Sequence, residues 1–288
     1  MTNAPLTDRK ALDSHRRRAR RAQGQDVFLH TRVRDEIEER LAAVNKTFTA
    51  PAIVTPYPDL WEGARPGARC IPDTELLDLA PGAHDLAIHA LALHWADDPV
   101  GQLIQLRRAL RPDGLCLAAL FAGQTLQELR RVLAEAETAL RGGLSPRIAP
   151  MGEIRDLGAL LQRAGFALPV ADAETLTVTY RDLPHLLHDL RGMGETNALA
   201  ARDRRPLSRA ILAHATALYA EHFPAPGGGI TATFEIVFLT GWAPDDSQPK
   251  PLRPGSAAQR LADALGTEER NTGDPARPDA RPGSSAGD

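Results

Sequence analysis

Apolar positions along this chain recur with two different periods, and the alternation between them lays out the fold. Val33, Ile37, Leu41 and Val44 repeat at spacings of four, four and three, which predicts a helix over 27–44 with one apolar stripe. Pro51 to Thr55 fits a first strand. The stretch from Ala83 to Gly123 then reads as strand, loop, helix, turn, strand. Leu86, Ala87 and Ile88 form a run too short for a helix. Leu103, Leu106 and Leu110 follow Pro99 at helical spacing, and proline suits a first helical turn, where its missing N–H has no intrahelical partner. Leu115 to Phe121 is a second continuous apolar run. A strand, a helix and a strand without alternation predict a βαβ unit in a parallel sheet covered on both faces.

Downstream, helices are predicted over 125–140, 154–164, 183–191 and 206–222. Alternation predicts strands over 176–180 and 230–241. Arg111-Pro112-Asp113-Gly114 reads as a turn. Thr125 and Glu128 have the spacing of a capping box. From Pro244 onward Pro, Gly, Ser, Asp and Arg dominate, which predicts a disordered tail with a short helix over 257–265. The resulting division is a basic arm over 1–26, one α/β domain over 27–245 with lid helices about 124–150 and 182–224, and a tail over 246–288.

Composition narrows the function classes. In 288 residues the hydrophobic fraction is 43% and the formal net charge is −3, so there is no global attraction to nucleic acid or to an anionic membrane. No apolar run approaches the ~20 residues of a membrane span. The two cysteines, Cys70 and Cys116, read as buried thiols of a reducing compartment. No metal spacing and no Ser-His-Asp signature is visible, and no His/carboxylate set suggests iron. The arginine-rich segment from Thr2 to Gln25 carries Asp8 and Asp13, which argues against a transit peptide. It lacks aromatics for stacking on bases, which argues against a nucleic-acid arm. A solvated helix remains.

The strand–helix–Arg-Pro-Asp-Gly–strand unit resembles the fourth and fifth strands of class I S-adenosyl-L-methionine (SAM) dependent methyltransferases. LALHWADD, FAGQTLQELR, GGLSPRIAP, DLGALLQRAGF, GMGETNA, ATFEIVFLTGW and Ser247-Gln248 resemble, in that order, one branch of the superfamily. That branch includes the mitochondrial complex I assembly factor that acts as a protein-arginine hydroxylase, and its bacterial relatives. Malonyl-acyl-carrier-protein methyltransferases are more distant cousins. The resemblance covers roughly Leu6 to Ser256.

The resemblance implies a Rossmann-like, mainly parallel sheet with one antiparallel strand, and a basic first helix over the cofactor mouth. The family follows its first strand with a glycine loop, so that backbone can approach SAM without a Cβ in the way. Here that loop reads Pro56-Tyr57-Pro58-Asp59-Leu60-Trp61-Glu62-Gly63, with two prolines that cannot donate and two aromatics in the ligand's space. Only 32 positions separate Ile53 from Asp85, whereas a single βαβ unit takes ~30 or more and the family fits three crossovers between its first and fourth strands. An abbreviated N-terminal half is therefore expected, with Arg69 to Asp73 as a remnant second strand.

The residues that the resemblance places on the cofactor side are Asp73, for the ribose hydroxyls, then Asp78 and His89. His94 is the candidate general base, or a structural partner of Trp95. Trp95, Glu195 and Asn197 are the substrate and lid candidates. Methylation, hydroxylation and no reaction stay open. The partner implied is a respiratory-complex subunit or another protein substrate, with no nucleic acid, in the bacterial cytoplasm or at the inner face of the membrane. The rival reading is a non-catalytic assembly or interaction factor that kept the fold and lost the cofactor. A third, an arginine-armed nucleic-acid binder, predicts binding that collapses with salt.

Overall fold

The computed structural model describes residues 4–22, 27–249 and 266. The chain divides into a unit of Met1–Asp246 and a second of Ser247–Asp288. The expected tail beyond residue 249, Gly266 apart, and its helix over 257–265 lie outside the described residues.

Six strands form one sheet in the order β2-β1-β3-β4-β6-β5. They are β1 (Pro51–Val54), β2 (Arg69–Ile71), β3 (His84–Ala90), β4 (Leu110–Ala122), β5 (Ala167–Tyr180) and β6 (Ile230–Trp242). β1 pairs in parallel with β2 and β3, and β3 with β4, while β6 runs against both β4 and β5. The sheet is thus mainly parallel with one reversed strand, as expected. The continuous apolar run of β4 resolves into two faces with a period of two. Leu115, Leu117, Ala119 and Phe121 pack on one side with α2 (Phe28–Ala43), α5 (Gln127–Arg141), α7 (Leu183–Gly192) and α8 (Arg209–His222). Cys116, Ala118 and Leu120 pack on the other with α4 (Pro99–Ala109) and α6 (Ile154–Arg163). Burial on both faces explains why this strand shows no polar alternation.

The abbreviation lies between β1 and β3. A four-residue helix, α3 (Asp59–Glu62), and the three-residue β2 are the regular elements there. Short crossovers leave the C-terminal edges of β1 and β2 uncovered by the missing helices. α1 (Arg9–Arg21) takes up that position. Asp8 caps it by accepting from the Ala11 N–H at 3.1 Å, and it buries Leu12, Arg16 and Ala19.

Several local expectations are corrected. Arg111 to Gly114 is not a free turn: it lies within β4, where Asp113 takes a left-handed φ of 57° and the pairing with β3 shifts register. Thr125 and Glu128 do not form a capping box. The N-cap of α5 is Leu126, with φ 54° and no side-chain cap. Thr125 Oγ1 instead donates to the Glu235 carbonyl and accepts its N–H, and Glu128 accepts from the Thr233 N–H and hydroxyl. Both side chains satisfy β6 backbone, so tertiary partners displace the local motif. β5 is far longer than 176–180, and α8 starts at Arg209, capped by Ser208, rather than at Pro206. Cys116 is buried but Cys70 is only half-buried, and both thiols are free.

Candidate functional site

The C-terminal edge of β1, β2 and β3 carries a dense polar cluster. After β1, Thr55 turns the chain, its hydroxyl accepting from the Tyr57 N–H at 3.1 Å. The Tyr57 ring points inward, 4% exposed, and its hydroxyl donates to the Met193 carbonyl at 2.7 Å. From α1, Arg20 donates to the Pro56 carbonyl at 2.7 Å. Arg16 donates to Asp73 Oδ1 at 2.6 Å, and Arg9 to Asp73 Oδ2 at 3.2 Å. The Arg16 and Asp73 side chains are each 4% exposed. Burial opposes the Asp73 charge, but Arg16 and then Arg9 outweigh it and hold the carboxyl below its usual range. Burial likewise works against the Arg16 guanidinium, which Asp73 and Glu195 keep charged. Arg16 Nε and Nη2 have no hydrogen-bond partner among the described residues.

The second half of the cluster centres on Glu195. Its Oε2 accepts from Trp95 Nε1 at 2.7 Å and lies 3.1 Å from His94 Nε2. His30 Nε2, on α2, lies 3.8 Å from Oε1, too far for a hydrogen bond. Burial disfavours the Glu195 charge; His94, His30 and Arg16 more than offset it and hold its carboxyl below the usual range. Burial pushes the His30 imidazole down and the Tyr57 phenol up. The His30 and Tyr57 rings meet edge-on at 4.6 Å, and His94 packs on Phe121 at 4.8 Å. Nearby, His89 Nε2 sits 2.7 Å from Gln102 Oε1, whose amide nitrogen donates to the Thr74 carbonyl. Gln102 therefore faces His89 with an acceptor, and the His89 proton lies on Nε2. Burial pushes the His89 imidazole down to about 4.

His94, Trp95 and Glu195 come together, 100 residues apart in the chain for the last two. Asp73 stands at the mouth, already paired. His89 lies behind it, buried against α4. Asn197 binds loop backbone, donating to the Pro146 carbonyl at 2.8 Å and accepting from the Leu199 N–H at 3.0 Å. Asp78 lies apart, 88% exposed and ion-paired with Arg69. Sequence reasoning missed Arg16 and His30. Each sits on its helix's buried stripe: Leu12, Arg16 and Ala19 on α1, and His30, Val33, Ile37 and Leu41 on α2. A polar residue at a stripe position was the available signal.

Gly194 lets these halves meet. Its φ is +74°, and a Cβ there would stand 2.8 Å from the Tyr57 hydroxyl and 3.0 Å from Arg16 Cγ. Gly194→Ala is therefore expected to destabilise the protein by about 2 kcal/mol, through strain and the clash together. Urea unfolding measures this, and a midpoint unchanged from the native chain would show that the loop yields freely.

No protein-family model matches the chain. It is 39% identical over 197 residues to "Arginine-hydroxylase NDUFAF5, mitochondrial" of Danio rerio, a match covering 68% of this chain and 61% of that protein. The Homo sapiens protein of the same name is 36% identical over 214 residues, covering 74% and 62%. A malonyl-[acyl-carrier protein] O-methyltransferase of Laribacter hongkongensis is 34% identical over 181 residues, covering 63% and 58%. The chain thus spans about three-fifths of the length of the curated relatives it matches. Among solved structures, Burkholderia thailandensis 1,6-didemethyltoxoflavin-N1-methyltransferase with S-adenosylhomocysteine aligns with a TM-score of 0.41 and 14% identity, over 85% of this chain and 94% of that one. With its strand order and its one reversed strand, this chain is a Rossmann-like, methyltransferase-fold homologue of the NDUFAF5 arginine-hydroxylases and, at lower identity, of the malonyl-acyl-carrier-protein O-methyltransferases.

Proposed function

We propose that this chain is a methyltransferase-fold protein that works without SAM, as an assembly or interaction factor for a respiratory complex. The observation that carries this reading is the buried Arg16–Asp73 pair, in which the protein's own guanidinium takes the carboxylate that would hold a ribose. Two further features speak against a fit to SAM. The loop after β1 is Thr55-Pro56-Tyr57-Pro58, with no glycine and two missing donors, and Arg20 occupies its Pro56 carbonyl. The Tyr57 ring is locked inward by its bond to Met193. Evicting these groups would expose Asp73 and Glu195 carboxylates now matched by arginine and histidine, which costs several kcal/mol on the order of a broken buried pair. No chemical step is therefore routed through SAM.

A protein partner accords with the curated relatives named as arginine-hydroxylases, and an interaction role needs no reacting group. Among the described residues no helix is long and apolar enough to cross a membrane. The proposed site is at the inner face of the membrane, reached from the cytoplasm. Cells lacking this chain are expected to accumulate incomplete respiratory complex on native gels. Both the wild-type chain and a His94→Gln variant should restore assembly. Normal assembly without the chain would contradict the role; rescue by wild type but not by His94→Gln would return the protein to the enzymes.

A further inference from the structure

Beside the closed edge lies a cavity of about 250 Å³ that the polar cluster does not fill. Phe121 of β4, Leu129 and Leu133 of α5, Leu190 of α7 and Phe234 of β6 line it, all buried. Its polar groups are mostly spoken for. Glu195 is bonded to Trp95 and His94, and Arg147 is ion-paired with the buried Glu137. Arg191 differs: it lines the cavity, is exposed, and has no ion pair among the described residues. An apolar chamber whose lining holds one exposed cation without an ion pair among the described residues calls for an amphiphile with one anionic end.

Size fixes the scale. An apolar cavity of about 150 Å³ holds benzene, with its six heavy atoms, so this one takes about ten. We propose that the cavity binds a straight-chain monocarboxylate of about eight carbons, its carboxylate on Arg191 and its chain along the apolar wall that Phe121, Leu129, Leu133 and Phe234 form. Arginine recognises carboxylate through a planar, charge-assisted fork. The chain displaces water from apolar walls, and the burial rather than the charge supplies most of the affinity. This site stands whether or not the cofactor edge is closed.

The test is calorimetric titration of octanoate into the full chain, with octylamine and octanol as length-matched controls. Octanoate is expected to bind with a Kd of roughly 100 µM or tighter, about half a kcal/mol per heavy atom. Arg191→Gln should weaken it about tenfold, the factor of one charge-assisted hydrogen bond, and octylamine should bind at least tenfold less well than octanoate. Leu133→Trp fills the chamber and should abolish binding. Because Arg191 is exposed, its substitution tests the anchor independently of folding. Silence of octanoate at millimolar concentration, equal binding of octylamine, or an unchanged Kd in Arg191→Gln each overturns the proposal.

Discussion

Asp73→Ala is expected to lower the melting temperature by roughly 10 °C. Removing one partner of a buried ion pair costs about 3–5 kcal/mol, and each kcal/mol moves the midpoint by about 2–4 °C in a domain of this size. The cost arises because Arg16, 4% exposed, would lose the carboxylate it is hydrogen-bonded to and keep only the charge of Glu195, with which it makes no hydrogen bond. Its Nε and Nη2 already lack hydrogen-bond partners among the described residues. A surface pair would be worth about 0–1 kcal/mol, and its loss would pass almost unnoticed. The double variant Arg16→Met, Asp73→Leu removes both charges and should recover most of the loss, because a well-packed apolar pair can match a buried salt bridge. Calorimetric melting of the native chain, Asp73→Ala and the double variant makes the comparison. A shift below 2 °C for Asp73→Ala would mean that the pair is solvated and the mouth open.

A second large effect concerns acid. His89 and His30 are buried with their folded pKa values depressed, His89 to about 4. In the unfolded chain both titrate near 6.5. Between those limits the unfolded state binds protons that the folded state refuses, so stability is complete above about pH 6.5 and falls as the pH drops. For His89 alone the window from about 6.5 to about 4 amounts to roughly 3 kcal/mol, at about 1.4 kcal/mol per pH unit. The carboxylates add to the loss lower down. Asp73 and Glu195 have depressed folded values, so their contribution is present above the ordinary carboxylate range and vanishes below it. Urea midpoints measured from pH 7.5 to 4.5 should fall steadily from about pH 6.5. His89→Gln should flatten the upper part of that slope. A midpoint that holds constant down to pH 5 would mean that these imidazoles gain protons freely in the folded protein.

How much of this was legible in the sequence depends on whether the signal was local. The β3–α4–β4 unit was readable because Pro99, the Leu103–Leu106–Leu110 spacing and two unbroken apolar runs each act over a few residues. The missing crossovers followed from the short span between Ile53 and Asp85 set against the crossovers of the family that the chain resembles. Where partners are remote, local rules misled. Thr125 and Glu128 have capping-box spacing, but β6 offered them stronger partners at Thr233 and Glu235. The bulge at Asp113 reads as a turn because a left-handed residue before glycine serves either purpose. Arg16 was hidden among similar arginines: only the stripe it shares with Leu12 and Ala19 separates it from Arg17 and Arg18, which are exposed. Glu195 was singled out from its loop, whereas its ties to His94 and Trp95 required the fold that brings the loop after α7 to the segment after β3.

The central claim is that the protein's own side chains hold the place of the cofactor. Calorimetric titration of S-adenosylhomocysteine into the native chain tests it most directly. The account predicts no binding heat up to about 1 mM ligand, the concentration at which even a −4.1 kcal/mol interaction would half-saturate the site. Saturable binding in the micromolar range would contradict it, because Arg16 and Tyr57 would then yield to the ligand at little cost.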